Sequence, residues 1–162
     1  MDYSDKTAYI LTKEGHGKLV AELTDLKENK RKEIADRIRT AKQHGDLSEN
    51  AEYEEARRDQ SFIEGRIQHL EAILNDCEIV EKSDVDVNEI GIGCKVSMID
   101  LVNNKEITYK IVGSYESDPA KGHISNKSPI GAMLIGKKTG DIVMVKSPKA
   151  IKKFRIIKVR RA

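Results

Sequence analysis

The sequence has no tryptophan, and aromatic residues make up only 4% of its 162 positions, while charged residues make up 35%. A chain so charged and so poor in large rings does not fold as one compact globule. Its 38% hydrophobic content nevertheless excludes wholesale disorder. Cysteine occurs only at Cys77 and Cys94, with no CxxC pair. Two thiols are too few for a disulfide scaffold, and they point to reduced cysteines in a cytoplasmic protein. No apolar run approaches 18 residues and no basic-then-apolar leader opens the chain, so neither a membrane span nor a secretion signal is expected. No internal repeat or low-complexity tract is present. A long exposed helical element beside a small packed domain satisfies all of these limits.

The formal charge of +2 conceals a division. Residues 1–83 carry 14 Lys/Arg against 19 Asp/Glu, whereas residues 84–162 carry 15 against 8. The change of sign coincides with a change of pattern, and the boundary is set between residues 1–80 and 81–162. Such a split suggests two domains with different partners.

From Thr12 to Gln43 there is no proline, and the glycines Gly15 and Gly17 lie near the start. Leu19, Leu23 and Leu26 recur at helical spacing, as do Ile34, Ile38 and Ala41. Thr12 is a plausible N-cap and Gly45 a plausible helix-ending residue. The second segment is more regular. Tyr53, Ala56, Gln60, Ile63, Ile67, Leu70, Leu74 and Cys77 alternate intervals of three and four, which is a heptad seam interrupted at Gln60. In the first segment Leu26 and Ile34 are eight apart rather than seven, which predicts a local change of supercoil. Two such helices joined by about five residues fold back as an antiparallel coiled-coil hairpin. Arms of about 30 residues at 1.5 Å per residue are roughly 45 Å long. Both become polar toward Gly45, so the acidic segment near 45–53 is a solvated tip.

From about Asp84, "SDVDVNEIGIG" reads as a linker into β-branched, alternating segments. The expected strands are "CKVSMIDL", "KEITYKIVG", "DIVMVKS" and "KKFRIIKVR". Pro129 can open a short helix that Gly136 closes. The result is a small α+β domain whose sheet is mostly antiparallel.

The tip concentrates chemistry. Asp46, Glu49, Glu52, Glu54 and Glu55 fall within ten residues, and no Lys or Arg lies between Gln43 and Ala56. Asp46-Leu47-Ser48-Glu49 matches a capping box, in which Asp46 caps the second helix and Glu49 folds back. The same two carboxylates also suit a divalent cation such as Mg²⁺, which takes hard oxygen ligands and keeps several waters. With two ligands at a solvated tip the isolated chain holds metal weakly, so a full site needs ligands from a partner. A third reading concerns the shaft. Lys30, Arg31, Lys32, Arg37, Arg39 and Lys42 approach the tip, and Arg57 and Arg58 leave it. They form either a solvated face or a surface for phosphates.

"HGDLSENAEYEEAR", the preceding arm "LVAELTDLK" and the later "SPIGAMLIGKKTGDIV" resemble the Gre family of bacterial transcript cleavage factors, over nearly the whole chain. The resemblance implies an N-terminal coiled-coil hairpin followed by an FKBP-like domain. That domain docks at the rim of the RNA polymerase secondary channel while the hairpin reaches the active centre. There the tip stimulates the polymerase's own hydrolysis of the 3′ end of backtracked nascent RNA, and the factor is not itself a nuclease. By position, Asp46 and Glu49 are the acidic pair that shares Mg²⁺ with the polymerase. Asn50 and Tyr53 shape the tip, and Lys42 and Arg57 form the basic patch beside the RNA. Ser128, Pro129 and Ile130 mark the polymerase-docking segment. The chain acts as a monomer when bound. Ser48 stands where many relatives carry Lys, which removes a positive charge between the two acids. The modest basic patch favours activity on short backtracks.

Two other functions are compatible with parts of the chain. One is a non-catalytic channel binder that regulates the polymerase, against which the intact Asp-x-x-Glu pair argues. The other is a free-standing RNA-binding module built on residues 146–162, which hold eight Lys/Arg and no acid. The alternation in "KKFRIIKVR" favours instead a strand with a basic outer face. An autonomous Mg²⁺ nuclease would need a second carboxylate cluster that the chain does not contain.

Overall fold

The computed structural model describes residues 9–43, 51–81, 85–146 and 151–162. The chain divides into two compact units. One is the helical span His16–Asp76, and the other joins residues 9–15 to Cys77–Ala162. The division falls at Cys77 because strand β1 (Tyr9–Thr12) pairs in parallel with β2 (Cys77–Val80), with Tyr9 opposite Cys77 and Thr12 opposite Val80. Short strands four residues long left no alternation by which to foresee them.

In the helical unit, α1 (Lys13–Asp25) continues through a π-helical turn, Leu26–Lys30, into α2 (Arg31–Gln43). Thr12 is the N-cap, its Oγ1 accepting from Gly15 N at 3.1 Å. The π-turn occupies the eight-residue gap between Leu26 and Ile34, and the Arg31 amide donates to the Leu26 carbonyl across it. An i→i−5 bond takes up one extra residue, so both halves of the seam keep facing the partner arm. Leu19, Ile34 and Ala41 are buried accordingly. Deleting Asn29, an exposed residue of the π-turn, should restore plain α-helix with little change in melting temperature. Deleting Ala35 within α2 should rotate the seam by about 100° and lower the melting temperature sharply; thermal unfolding of the two variants tests this.

The return arm α3 runs from Ala51 to Asn75 and buries Ala56, Ile67, Leu70 and Ile73. Full burial of each large aliphatic side chain contributes about 1.5–3 kcal/mol. The expected seam continued through Leu74 to Cys77, but the helix stops two residues earlier, at Asn75. Near that end Ile73 is the fully buried residue, Leu74 is half-buried, and Cys77 is already in β2. Charged pairs fasten the arms antiparallel, with Lys27 to Glu71, Arg31 to Glu64 and Arg37 to Asp59 in descending order. Arg31 grips Glu64 through two nitrogens at 2.7 and 2.6 Å, and Arg66 holds Glu22 in the same way. The polar run "KENKRKE" is therefore closed by ion pairs rather than apolar contacts.

The Arg31 guanidinium holds the Glu64 carboxyl below the usual glutamate range. A depressed folded-state value contributes stability above the unfolded value, and that stability is lost as pH falls through the folded one. Glu64→Gln should therefore melt at a lower temperature than the parent at pH 7 and at the same temperature at pH 2. Because the pair is exposed, the difference should be small and should shrink in high salt.

The second unit is built on a five-stranded sheet of order β5-β4-β3-β7-β6. Its strands are β3 (Cys94–Asp100), β4 (Glu106–Val112), β5 (His123–Ser125), β6 (Ile142–Lys146) and β7 (Ile151–Arg161). All neighbours are antiparallel except β4 and β5. Four of the five strands match the sequence expectation, and the fifth, β5, is three residues long, too short to show an alternation. Along β3, Cys94, Val96 and Met98 face the core, meeting Ile111, Phe154 and Ile156 from the adjoining strands. A bulge opposite Ser97/Met98 inserts Ile157 into β7, so Ile156 and Val159 both reach the inner face. The helix α4 (Pro129–Leu134) packs on this face through Leu134 and Ile130.

"SDVDVNEIGIG" is not a linker. Val85, Ile90 and Ile92 are buried in the core, and the backbone of Ile90 exchanges hydrogen bonds with the turn after α4, at Lys137 and Gly136. The apolar residues of this segment are spaced irregularly among acids, so the core strap shows neither strand nor helix periodicity. No helix among the described residues is long and apolar enough to cross a membrane.

Candidate functional site

Three of the residues expected at the tip, Asp46, Glu49 and Asn50, lie outside the described residues. They sit in the sequence between Gln43, the last residue of α2, and Ala51, the first of α3. The described arms lead directly to them. Ala41 and Ala56, 2% and 1% exposed, are the last buried layer before the tip. Two methyl-sized side chains there let the helices approach closely without needing bulk.

Tyr53 is half-buried in the first turn of α3, and Lys42 and Arg57 are both exposed. Arg57 Nη1 donates to Gln60 Oε1 at 2.6 Å, which steadies its guanidinium along α3. Of the other tip acids, Glu55 lies 3.9 Å from Arg37 and Glu54 lies 4.0 Å from Arg58. Glu52 is exposed and joins Glu33, Asp36 and Glu55 around an acidic groove. No group of three His, Cys, Asp or Glu among the described residues could hold a metal ion.

The basic shaft is largely engaged within the hairpin. Lys30 pairs with Glu33, Arg31 with Glu64, Arg37 with Asp59, and Arg39 with Asp36. Most of the run seen in the sequence therefore serves the hairpin itself. Lys42 and Arg57 are the exposed cations nearest the tip that make no such bridge among the described residues.

In the second unit, Ser128 Oγ accepts from Gly131 N at 3.1 Å and donates to Ser125 O at 2.7 Å. It is the N-cap of α4, with Pro129 at the first helical position, where no N–H is needed. Ile130 packs toward the sheet, so Pro129 is the exposed member of the three. Gly136, with φ of 75°, follows the helix and its N–H reaches Ile90 O.

No local motif marks Glu116 as a site residue. Its carboxylate accepts from Thr12 N at 2.8 Å and from Thr12 Oγ1, 104 residues away in the chain. It therefore holds the very start of α1, and Gly15 leaves the room it occupies: a Cβ there would stand 1.8 Å from Glu116 Oε1.

The family model described as "Transcription elongation factor, N-terminal" matches residues 9–79, and "Transcription elongation factor, GreA/GreB, C-term" matches residues 84–161. The chain belongs to the GreA/GreB family of transcription elongation factors. It is 48% identical over 152 residues to transcription elongation factor GreA of Thermoanaerobacter pseudethanolicus, covering 94% of this chain and 97% of that one. It is 45% identical over 157 residues to the GreA of Clostridium novyi, covering 97% and 99%. The crystal structure of GreA factor homolog 1 of Thermus thermophilus aligns with a TM-score of 0.44 at 26% identity, covering 96% and 99%.

Proposed function

We propose that the protein is an elongation factor that binds RNA polymerase and carries its acidic tip into the secondary channel. There it stimulates the polymerase's own hydrolysis of the 3′ end of backtracked RNA. The observation that carries this reading is the coincidence, in one chain, of both family matches with the Asp46-x-x-Glu49 pair at the junction of the two arms. The protein is a cofactor of that reaction and acts in the cytoplasm.

The donor set fits a shared Mg²⁺. Asp46 and Glu49 offer hard carboxylate oxygens, and two protein ligands suffice for an ion that keeps its waters. Such an ion, held by Asp46 and Glu49 together with polymerase ligands, would supply one half of two-metal chemistry, in which one ion would activate the attacking water and the other would stabilise the leaving oxygen. The residues of this chain have the other tasks: Asp46 and Glu49 hold and orient, Asn50 and Tyr53 shape the turn, and Lys42 and Arg57 face the RNA phosphates. Ser128, Pro129 and Ile130 lie at the surface that docks on the polymerase, with Pro129 in contact.

The test is to add the full chain to stalled, backtracked elongation complexes in Mg²⁺. Short 3′-terminal RNA fragments and resumed elongation are expected, with no cleavage of the same RNA in the absence of polymerase. Binding without fragments would make the protein a non-catalytic channel binder. Cleavage of free RNA would make it a nuclease.

A further inference from the structure

The sheet of the second unit has one closed edge and one open edge. At the β5 end the strand is three residues long, and Asp118 bridges to His123 through two backbone hydrogen bonds of 3.0 Å. At the other end β6 pairs with β7, and among the described residues no further strand lies beyond it. Its register with β7 runs unbroken from Ile142 to Lys146, so no bulge turns it aside. Natural edges are blunted by charge, proline, bulges or very short strands. From Ile142 to Val145 the run "IVMV" has neither charge nor proline.

Residues paired across strands share a face. Val143 pairs with Phe154 and is buried with it in the core, so Ile142 and Met144 point outward. They are 52% and 56% exposed. The outer row through Ile142 is Glu106–Ile99–Arg155–Ile142, and Met144 lies beside Lys153. The cations of this face therefore sit inside the edge, on β7 and beyond it, where Arg160, Lys95 and Lys110 form another row. The side chains described on β6 itself are all apolar.

Val143-Met144-Val145 reads the same in both directions. The strand that best matches it across an antiparallel two-fold axis at Met144 is this strand itself. Met144 then faces Met144 of a second copy, Val143 faces Val145, and Ile142 reaches the copy's Met144 on the diagonal. Lys146 falls at the end of the strand, and the axis sends its two copies to opposite ends. Lys153 and Arg155 on the two β7 strands are the opposed cations of the outer face. Three strand spacings separate them, about 14 Å, which exceeds the screening length of about 8 Å at physiological salt. Their repulsion is weak there and grows as salt falls. An acidic partner would show the opposite dependence.

We propose that β6 is a self-association edge, through which two copies of the free protein pair antiparallel about Met144 and join their sheets into one. The pairing adds main-chain hydrogen bonds along one short strand and closes a cluster of two Met144 and two Ile142 side chains. A contact of this size falls below the roughly 1,200–2,000 Å² buried in stable interfaces. The dimer is therefore weak and reversible, and dilution releases the monomer.

The test is sedimentation velocity of the full chain without polymerase, from about 5 to 500 µM, at low and at physiological KCl. The weight-average mass should rise from one chain toward two with concentration, and the rise should be larger at the higher salt. Met144→Lys and Met144→Glu should each raise the dissociation constant at least about tenfold, with melting temperatures near the parent's because the position is exposed. A mixture of the two variants should dimerise again, since opposite charges then face each other across the axis. Phe62→Lys, which removes a 76% exposed ring from α3, should associate as the parent does. A chain that stays monomeric throughout would overturn the proposal. So would association that survives Met144→Lys, fails to return in the mixture, disappears with Phe62→Lys, or weakens as salt rises. Polymerase takes no part in this measurement, so its outcome and that of the cleavage test are independent.

Discussion

Gly113→Ala should lower the melting temperature by about 10 °C. The backbone there is ordinary, with φ of −66° and ψ of 163°, so conformational freedom is not the reason. A Cβ at this position would stand 1.8 Å from the Ile10 carbonyl oxygen and 3.0 Å from its carbon. Both are backbone atoms of β1, which is tied to β2 by its ladder and cannot turn aside as a side chain would. Overpacking of this kind costs about 3 kcal/mol, and in a domain of this size each kcal/mol shifts the midpoint by about 2–4 °C. Gly17 and Gly65 provide the control. Both are helical, and a Cβ at either meets nothing within 4 Å. Alanine at either should raise the midpoint, since glycine in a helix costs about 0.5–1 kcal/mol relative to alanine. Thermal unfolding of the three variants decides whether close approach or glycine itself is what matters.

Asp46→Ala/Glu49→Ala should abolish nearly all stimulated transcript cleavage, with a loss of about 100-fold or more, while binding to polymerase persists. Removing a single preorganised charge-stabilising group from an active centre typically costs 10²–10³ in rate, and here two go together. The two carboxylates act as a unit, so each single alanine should lose nearly as much as the pair. Glu52→Ala and Glu54→Ala should have small effects. Glu54 already faces Arg58 on the same helix, and the acid surrounding the pair serves the local field more than any bond. Single-turnover cleavage rates with saturating factor measure this directly.

The long helices were legible because they obey a period. Even the irregularity in the first arm could be read, since a spacing of eight between Leu26 and Ile34 has one simple structural answer, and the π-turn supplies it. The Ser128 cap and the Pro129 start of α4 were equally plain, because they rest on chemistry within four residues. What escaped reading depends on contacts distant in sequence. The pairing of Tyr9 with Cys77, the grip of Glu116 on Thr12, and the buried Ile90 strap join residues that no local pattern relates. The cationic row on the sheet was half visible. Alternation along "KKFRIIKVR" put its cations on one face, but only the register shows Lys95 and Lys110 in line with Arg160. The tip acids Asp46 and Glu49 lie outside the described residues, so composition and motif alone carry them, and the role proposed for them needs a partner to supply the remaining ligands.

That dependence is the central claim, and the Mg²⁺ requirement of cleavage tests it most directly. Cleavage by backtracked polymerase should be measured as a function of Mg²⁺ concentration alone, with the parent chain, and with Asp46→Ala/Glu49→Ala. Two added carboxylates should shift the half-saturating Mg²⁺ concentration downward with the parent chain, and the double variant should leave it where polymerase alone has it. An equal shift with parent and variant would contradict the assignment of Asp46 and Glu49 to a shared metal site.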